Sequence, residues 1–305
     1  MKRRFTLALV LLFALAASAQ QLYVGTYNIR NNASNDDELE GNGWSVRQQV
    51  VCDQINFESP DIFGAEEVVV GQLHDMLRRC TGYSYLGVGR DDGREAGEYS
   101  AIFYKKDKLR LLHSGHFWLN ETPDKPALGW DAACVRICTW GEFKDRSTKL
   151  RFFFFALHMD HVGVVARRES AKLIVQKIRE LAGTRPVVVV GDFNVDQNDD
   201  IFQVFVQSGL LKDSYVHARQ RFAENGTFNA FRPSLKSDSR IDHIFVSPQF
   251  EVEHYGILTN MYWKPVSGSP EVKGKDAPQE IGFRRWELRT PSDHYPVFVK
   301  LRYRK

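Results

Sequence analysis

The chain has 305 residues, 43% hydrophobic and 26% charged, a length that fits one large domain or two small ones. Its formal charge of +3 is owed wholly to Lys2, Arg3 and Arg4, within the first 20 residues. The remainder is electrically balanced, which excludes the broad positive surplus of a protein that tracks along nucleic acid, and four cysteines are too few for a disulfide scaffold.

The three basic residues lead into an apolar run, Leu7 to Ala17, and then into the small residues Ala17-Ser18-Ala19. This order predicts a secretory signal peptide over 1–20, cleaved near Ala19 or Gln20, and a periplasmic or secreted domain over 21–305. The run is too short and too early for a membrane span, so none is expected after cleavage; a single uncleaved anchor is the alternative.

Leu22 to Ile29 reads as a first strand handing over to Asn28, Arg30, Asn31 and Asn32, and a polar, helix-poor segment follows to Trp44. A helix is predicted over Val46 to Phe57, ended by Ser59-Pro60, and the short strand Asp61 to Ala65 delivers Glu66 and Glu67. A second helix, Gln72 to Cys80, is followed by a strand over Tyr83 to Val88 and the charged, glycine-rich turn Gly89 to Gly97. Glu98 stands at the entrance to the strand Ser100 to Tyr104. Strands are expected over Leu109 to Phe117, Ala132 to Phe143 and Leu150 to Leu157; the last is very apolar and ends in His158, Asp160 and His161.

An amphipathic helix comes next, with Ala171, Ile174, Val175, Ile178, Leu181 and Ala182 on one stripe and Gly183 as its cap. Val187 to Val190 has no period-2 alternation, which suits a strand covered on both faces. That strand presents Asp192 and Asn194 on one side and turns Phe193 back into the core. A short helix over Ile201 to Gln207 and strands over Ile241 to Val246 and Val297 to Leu301 complete the set. Leu258 to Arg289, rich in Pro, Gly, Lys and Arg, reads as lying outside the core. No linker divides the chain, and strands interspersed with a few helices predict an α+β domain: two mainly antiparallel sheets face to face with helices outside.

Cys134 and Cys138, in one strand, would sit about 13 Å apart, too far to bridge. Cys52 and Cys80, each in a predicted helix, are the expected pair.

Asn28, Glu67, His158 with Asp160, Asp192 with Asn194, Asp242 with His243, and Asp293 with His294 all stand at ends of apolar strands. GxSxG, HExxH and the P-loop pattern are absent. Carboxylates with imidazoles suit a hard divalent cation and a phosphate. A zinc trio of His158, Asp160 and His161 is disfavoured, because alternation puts His161 opposite His158. An EF-hand reading of Asp192, Asn194 and Asp196 fails, because Gln197 and Gln203 replace the Gly and Glu it needs. His243 is expected to point away into a structural hydrogen bond.

In order, the TYN of Thr26 to Asn28, the EEV after the second strand, EYSAIFY, HMDH, GDFN, SRIDHIF and SDHYPV resemble the endonuclease/exonuclease/phosphatase (DNase I-like) superfamily over nearly the whole chain after residue 20. The resemblance implies a four-layer α/β/β/α sandwich and a Mg²⁺-dependent hydrolase acting on phosphoester bonds, with Mn²⁺ as a possible substitute. It assigns Glu67 as main metal ligand, with Asn28 beside it and Asp293 near the same ion. It gives Asp192 the attacking water, Asn194 the water or a phosphate oxygen, His294 paired with Asp242 the phosphate, and His158, with Glu98 as its candidate partner, the leaving oxygen. Two positions depart from the pattern. Arg30 stands where some members have an acidic residue, which argues against a second metal ligand from that strand. Glu66 stands where Gln is usual, either as an extra ligand or, the favoured reading, as a solvated neighbour.

Arg30, Trp118, Trp263 and Arg136 are expected to line the substrate site, the aromatic residues by stacking on a base or sugar ring. The balanced charge favours a small phosphorylated molecule over long duplex DNA, and a monomer is expected. A secreted nuclease acting on DNA or RNA and a non-catalytic phospho-ligand-binding protein are the alternatives.

Overall fold

The run Phe152 to Phe155 splits between two cores, and that split defines the layers. Phe152 and Phe154 join Val188, Val190, Ile62, Ile102, Val297 and Val299 in one buried cluster, whereas Phe153 and Phe155 join Val187, Val189, Ile174 and Ile178 in another. Strand residues alternate faces, so a strand apolar on both sides must be covered on both sides. The computed structural model describes residues 21–222 and 224–303; the expected signal peptide lies outside the described residues.

The strands of the first half are β1 (Gln21–Asn28), β2 (Ile62–Val68), β3 (Tyr83–Leu86), β4 (Tyr99–Lys105), β5 (Leu109–Trp118) and β6 (Ile137–Asp145). There follow β7 (Arg151–His158), β8 (Val187–Asp192), β9 (Lys212–Asp213), β10 (Gln220–Phe222), β11 (Asp242–Val246) and β12 (Phe250–Ile257). The last are β13 (Tyr262–Pro265), β14 (Val272–Lys273), β15 (Gly282–Phe283), β16 (Trp286–Arg289) and β17 (Val297–Tyr303). The helices are α1 (Asn35–Leu39), α2 (Trp44–Glu58), α3 (Val70–Arg79), α4 (Val164–Ala182), α5 (Asp200–Val206) and α6 (Ser214–His217).

One seven-stranded sheet runs β10-β12-β17-β1-β2-β4-β3 and one six-stranded sheet runs β5-β6-β7-β8-β11-β9. They pack through the first cluster. α4 and α5 cover the six-stranded sheet, and α2 and α3 cover the other through Val51, Ile55, Leu73 and Met76 against Tyr27, Phe63 and Phe103. This is the expected α/β/β/α sandwich. Its sheets are mainly antiparallel, with parallel pairs at β1–β2, β7–β8 and β10–β12. Among the described residues no helix is long and apolar enough to cross a membrane.

Two of those parallel pairs position the site. β1 reaches β2 through α2, and β7 reaches β8 through α4, so each pair ends its carboxyl termini at the same rim. Crevices at the carboxyl ends of parallel strands are where sheets of this kind bind ligands. β11 and β17 run antiparallel to β8 and β1, so their starts, rather than their ends as expected, meet the same rim with Asp242 and His294. Gly191 lets β8 approach β7 closely there: a Cβ on it would lie 2.0 Å from the Leu157 carbonyl oxygen, and its φ of +149° disfavours other residues.

Several elements depart from expectation: β9, α6 and β10 were not foreseen, and β6 starts at Ile137, so Cys134 lies before the strand rather than in it. The polar segment before Trp44 contains α1, a five-residue helix with no buried residue, started by the Ser34 side chain accepting from Asp37 N. β12 was not expected, and a register shift between Val252 and His254 breaks its alternation. Leu258 to Arg289 does leave the core, as the hairpins β13–β16 and β14–β15.

Candidate active site

A bulge in β2 turns two adjacent glutamates to opposite fates. The β2–β4 register shifts between Ala65 and Val68, and Glu67 adopts a left-handed φ of +61°. Bulges re-aim side chains next to functional sites. Glu67 enters the cleft, while Glu66 is fully buried with Thr26 Oγ1 3.0 Å from its Oε2. Glu66 is therefore not the solvated neighbour expected. Burial, followed by the nearby Asp242 charge, pushes its carboxyl well above the usual range.

Arg30 and Asn194 share the left-handed conformation, at φ of +58° and +50°. Each such residue costs on the order of 1 kcal/mol and persists where surrounding contacts fix it. Here the contacts are visible. Arg47, buried in α2, donates to the carbonyls of Ile29 (2.8 Å), Arg30 (3.2 Å) and Pro291 (2.9 Å), and so ties the β1 exit to the segment before β17.

The cleft holds about 420 Å³ and is lined by Arg30, Glu67, Glu98, Arg136, His158, Asp192, Asn194, Asp293 and His294 among the expected residues. Asn28 lies at its floor, fully buried. Its Nδ2 donates to Glu67 Oε1 (3.0 Å) and Asp192 Oδ2 (3.1 Å), while its Oδ1 accepts from Arg30 N (3.0 Å). Glu67 Oε2 accepts from Asn31 Nδ2 at 3.0 Å. Burial would raise the Glu67 carboxyl, but the Asn28 hydrogen bond, His294, Asn31 and Arg30 outweigh it and hold it below its ordinary value.

His294 Nδ1 lies 2.9 Å from Asp242 Oδ2. Burial opposes its charge, yet Asp242 and then Asp192 hold it protonated well above the ordinary imidazole range. The pair is seated by Thr227, whose Oγ1 accepts from Asp242 N and whose carbonyl accepts from Tyr295 N, with the Phe228 ring edge-on to the imidazole. Asp192 Oδ2 stands 3.7 Å from His294 Nε2 and 3.4 Å from His158 Nε2, and Asp192 Oδ1 accepts from Asn194 N at 2.9 Å. Burial and the Asp242 charge push the Asp192 carboxyl up to about 7.

His158 is held neutral by burial and by the charges of Arg136 and Arg90. Asn194 Nδ2, which donates to the Met159 carbonyl at 3.0 Å, lies 3.1 Å from His158 Nε2. Nε2 thus accepts and the proton sits on Nδ1, a buried nitrogen with no partner among the described residues. Glu98 is not its partner, as had been expected. Glu98 accepts from Asn31 Nδ2 at 2.9 Å and from Arg90 Nη1, because the Gly89 to Gly97 turn folds Arg90 back onto it.

The aromatic expectations are corrected too. Trp118 is buried at the end of β5, donates to the Arg90 carbonyl at 2.7 Å and supports the cleft wall without lining it. Trp263 projects from the β13–β16 hairpin and lines a separate surface hollow with Arg284 and Trp286. Cys52 and Cys80 are buried neighbours and free thiols in this structure, not the expected bridge. His161 does line the cleft with His158, because β7 ends at His158 and alternation stops there. His243 Nε2 donates to the Val195 carbonyl at 2.9 Å, the buried structural hydrogen bond that was expected. Sequence reasoning missed Asn31, Arg90 and Phe228, whose positions depend on turns that carry no periodic signal.

The oxygen set fits a hard divalent cation. Asp293 is a buried and Glu67 a partly buried carboxylate at one cleft, and the charge of Glu67 helps burial to raise the Asp293 carboxyl although His294 and Arg30 oppose it. Asp192, Asp242 and His294 also lie within metal-binding distance of one another, but Asp242 and His294 are already spent on each other.

Two packed mixed sheets whose strand ends bring carboxylates, amides and imidazoles to one cleft define a class of phosphoester hydrolases. The chain belongs to the endonuclease/exonuclease/phosphatase family, whose model matches residues 25–294. A solved endonuclease/exonuclease/phosphatase family protein from Bacteroides thetaiotaomicron is 46% identical, covering 93% of this chain and 98% of that one, with a TM-score of 0.86. The mannosyl-6-phosphatase of the same organism is 46% identical, covering 92% of this chain and all of that one, with a TM-score of 0.85. An uncharacterized protein of Acanthamoeba polyphaga mimivirus is 25% identical over 70% of this chain and 82% of its own length.

Proposed function

We propose that the chain is an exported, Mg²⁺-dependent phosphatase of small phosphorylated molecules, sugar phosphates foremost, with residues 21–305 as its catalytic domain. The observation that carries this reading is the convergence of Asp192 Oδ2 with Asn28, His158 and His294 in one cleft. The 46% identity to a mannosyl-6-phosphatase supports it.

Glu67 and Asp293 would hold the cation, with Asn28 beside them and Mn²⁺ as a possible substitute. When bound, the cation supplies charge neutralisation at the phosphoryl group and a place to orient water. Asp192, raised to about 7, is matched to take a proton from the attacking water near neutral pH. Asn194 fixes that carboxylate from below through its backbone N–H and locks His158 through its amide. Protonated His294 faces the phosphoryl oxygens with Nε2 while Asp242 holds Nδ1, and as the charged acid of the site it can give a proton to the leaving oxygen, with neutral His158 standing 3.4 Å from Asp192 Oδ2. Arg30, in the cleft lining and bonded to Asp37, would contact the group that departs.

The test is phosphate release from a panel of sugar phosphates, with nucleic acids alongside, in Mg²⁺ and in EDTA. Release from sugar phosphates that EDTA abolishes is expected. Turnover of DNA or RNA alone would replace this reading with the nuclease, and binding without turnover of any ester would leave only a ligand-binding protein.

A further inference from the structure

Beyond Glu98 the cleft lining changes sign. Arg136, just before β6, is 5% exposed and Arg90 stands with it in the same lining. Arg136 Nη2 lies 3.1 Å from His161 Nδ1, which must accept because a guanidinium only donates. Arg136 Nε is 3.6 Å from Asp160 Oδ2, beyond hydrogen-bond reach. Asp160 has nothing left to give: its oxygens accept from the backbone of Ala133, Cys134, Val162 and Gly163. Arg136 Nε and Nη1, and Arg90 Nε, which lies 3.8 Å from Asp91 Oδ1, are buried donors without a hydrogen-bond acceptor among the described residues.

Such orphans cost about 1–3 kcal/mol each, and three on two arginines of one cleft mark a place where an acceptor belongs. The acceptor is an anion and not a cation's shell. Cys134, Asp160 and His161 are close enough to hold a metal. Yet Asp160 is saturated, the His161 nitrogen is engaged, and a guanidinium stands among them. The anion also has a charge to meet. Glu67, Asp192, Asp242 and Asp293 crowd the same site, and a dianion entering beside them needs more positive charge than His294, one cation and Arg30, itself paired with Asp37, supply.

We propose that Arg136, with Arg90 beside it, determines specificity by taking the terminal oxygens of a phosphomonoester dianion, so that the cleft prefers monoesters to diesters. A monoester presents three terminal oxygens and two charges. A diester has one oxygen and one charge fewer, and its second substituent lies where that third oxygen would meet the guanidinium fork. The inference rests on the phosphatase reading for its reaction, but its binding part stands separately.

The experiment compares wild type with Arg136→Gln and Arg136→Lys in Mg²⁺, using p-nitrophenyl phosphate, bis(p-nitrophenyl) phosphate and, by calorimetry, inorganic phosphate. Loss of a charge-assisted fork is expected to lower kcat/KM for the monoester about 10- to 100-fold and phosphate affinity about 10-fold or more. The diester should fall far less, so the ratio of the two drops. Arg136→Lys, which keeps the charge and the Asp160 contact but not the fork, should show the same drop in smaller degree. Equal losses on both esters with unchanged phosphate affinity, in a variant that melts like wild type, overturn the proposal and leave Arg136 a prop for His161 and Asp160. If both Arg136 variants melt early, Arg90→Gln makes the same comparison with the Asp160 contact intact, and an unchanged ratio there counts equally against it. Should the wild type cleave neither ester, the phosphatase reading fails on its own; loss of phosphate affinity in Arg136→Gln would still uphold the subsite, and unchanged affinity would sink it.

Discussion

The side-chain nitrogen of Asn28 lies 3.1 Å from Asp192 Oδ2 and joins the two sheets at the rim where the site forms. The same nitrogen donates to Glu67 Oε1 at 3.0 Å, so one amide links the carboxylate proposed to hold metal with the one proposed to handle water. Truncation in Asn28→Ala leaves both carboxylates less well fixed and removes three hydrogen bonds, the two that Nδ2 donates and the one that Oδ1 accepts from Arg30 N, at about 1–3 kcal/mol. Turnover should fall by about 10- to 100-fold, and the Mg²⁺ concentration for half activity should rise. A Mg²⁺ titration that overlays wild type would show that the bridge does not couple the two halves.

Asp192→Asn keeps the shape and hydrogen-bonding reach of the side chain but cannot take a proton. Turnover should drop by two or more orders of magnitude. Thermal stability should hold or rise, since a carboxylate kept out of water beside Asp242 is replaced by a neutral group. His294→Ala should lower turnover as far, and it should also destabilise by about 3–5 kcal/mol, because Asp242 is left buried without its imidazolium. Wild-type rates in either variant would remove that residue from the mechanism. An Asp192→Asn variant that melts much earlier would make its role structural.

Glu67 offers a test that does not depend on substrate. A cation bound only by the folded chain stabilises it by about 2.7 kcal/mol at a hundredfold excess over Kd. Mg²⁺ should therefore raise the Tm of wild type, EDTA should reverse the rise and abolish activity, and Glu67→Gln should show a smaller shift with a higher Mg²⁺ requirement. If Glu67→Gln gains as much from Mg²⁺ as wild type does, the ion is held elsewhere.

Much of this was legible in the chain. Phe152 to Phe155 and Val187 to Val190 announce strands covered on both faces, and both are. The polar residues that end or precede those strands do meet, because parallel pairs and their antiparallel neighbours bring ends and starts to one rim. What failed depends on single backbone angles and long-range contacts. The left-handed φ of Glu67 decides which glutamate sees the cleft, and no spacing rule contains it. Glu98 meets Arg90 because a turn closes, and Trp263 leaves the site because a hairpin carries it away. Arg47 reads as a polar helix residue, yet it is buried and holds the chain segments that carry Asn28 and His294.

Glu66 carries the last prediction, on stability against pH. Its carboxyl sits between the sheets with Thr26 as its hydrogen-bond partner, and burial with the nearby Asp242 and Asp192 charges keeps it protonated well above the usual carboxylate range. In the unfolded chain the same group ionises near 4.5. Below that pH both states hold the proton and Glu66 imposes no pH-dependent cost. As pH rises above 4.5 the unfolded chain releases a proton that the folded chain retains, so stability declines until the folded group itself ionises. Glu66→Gln is neutral in both states and nearly isosteric, and it removes this slope. The variant should match wild type near pH 4 and exceed it increasingly through pH 7 in denaturant melts. Parallel stability curves over that range would mean that Glu66 is ionised in the folded protein and that its charge is compensated by contacts other than Thr26.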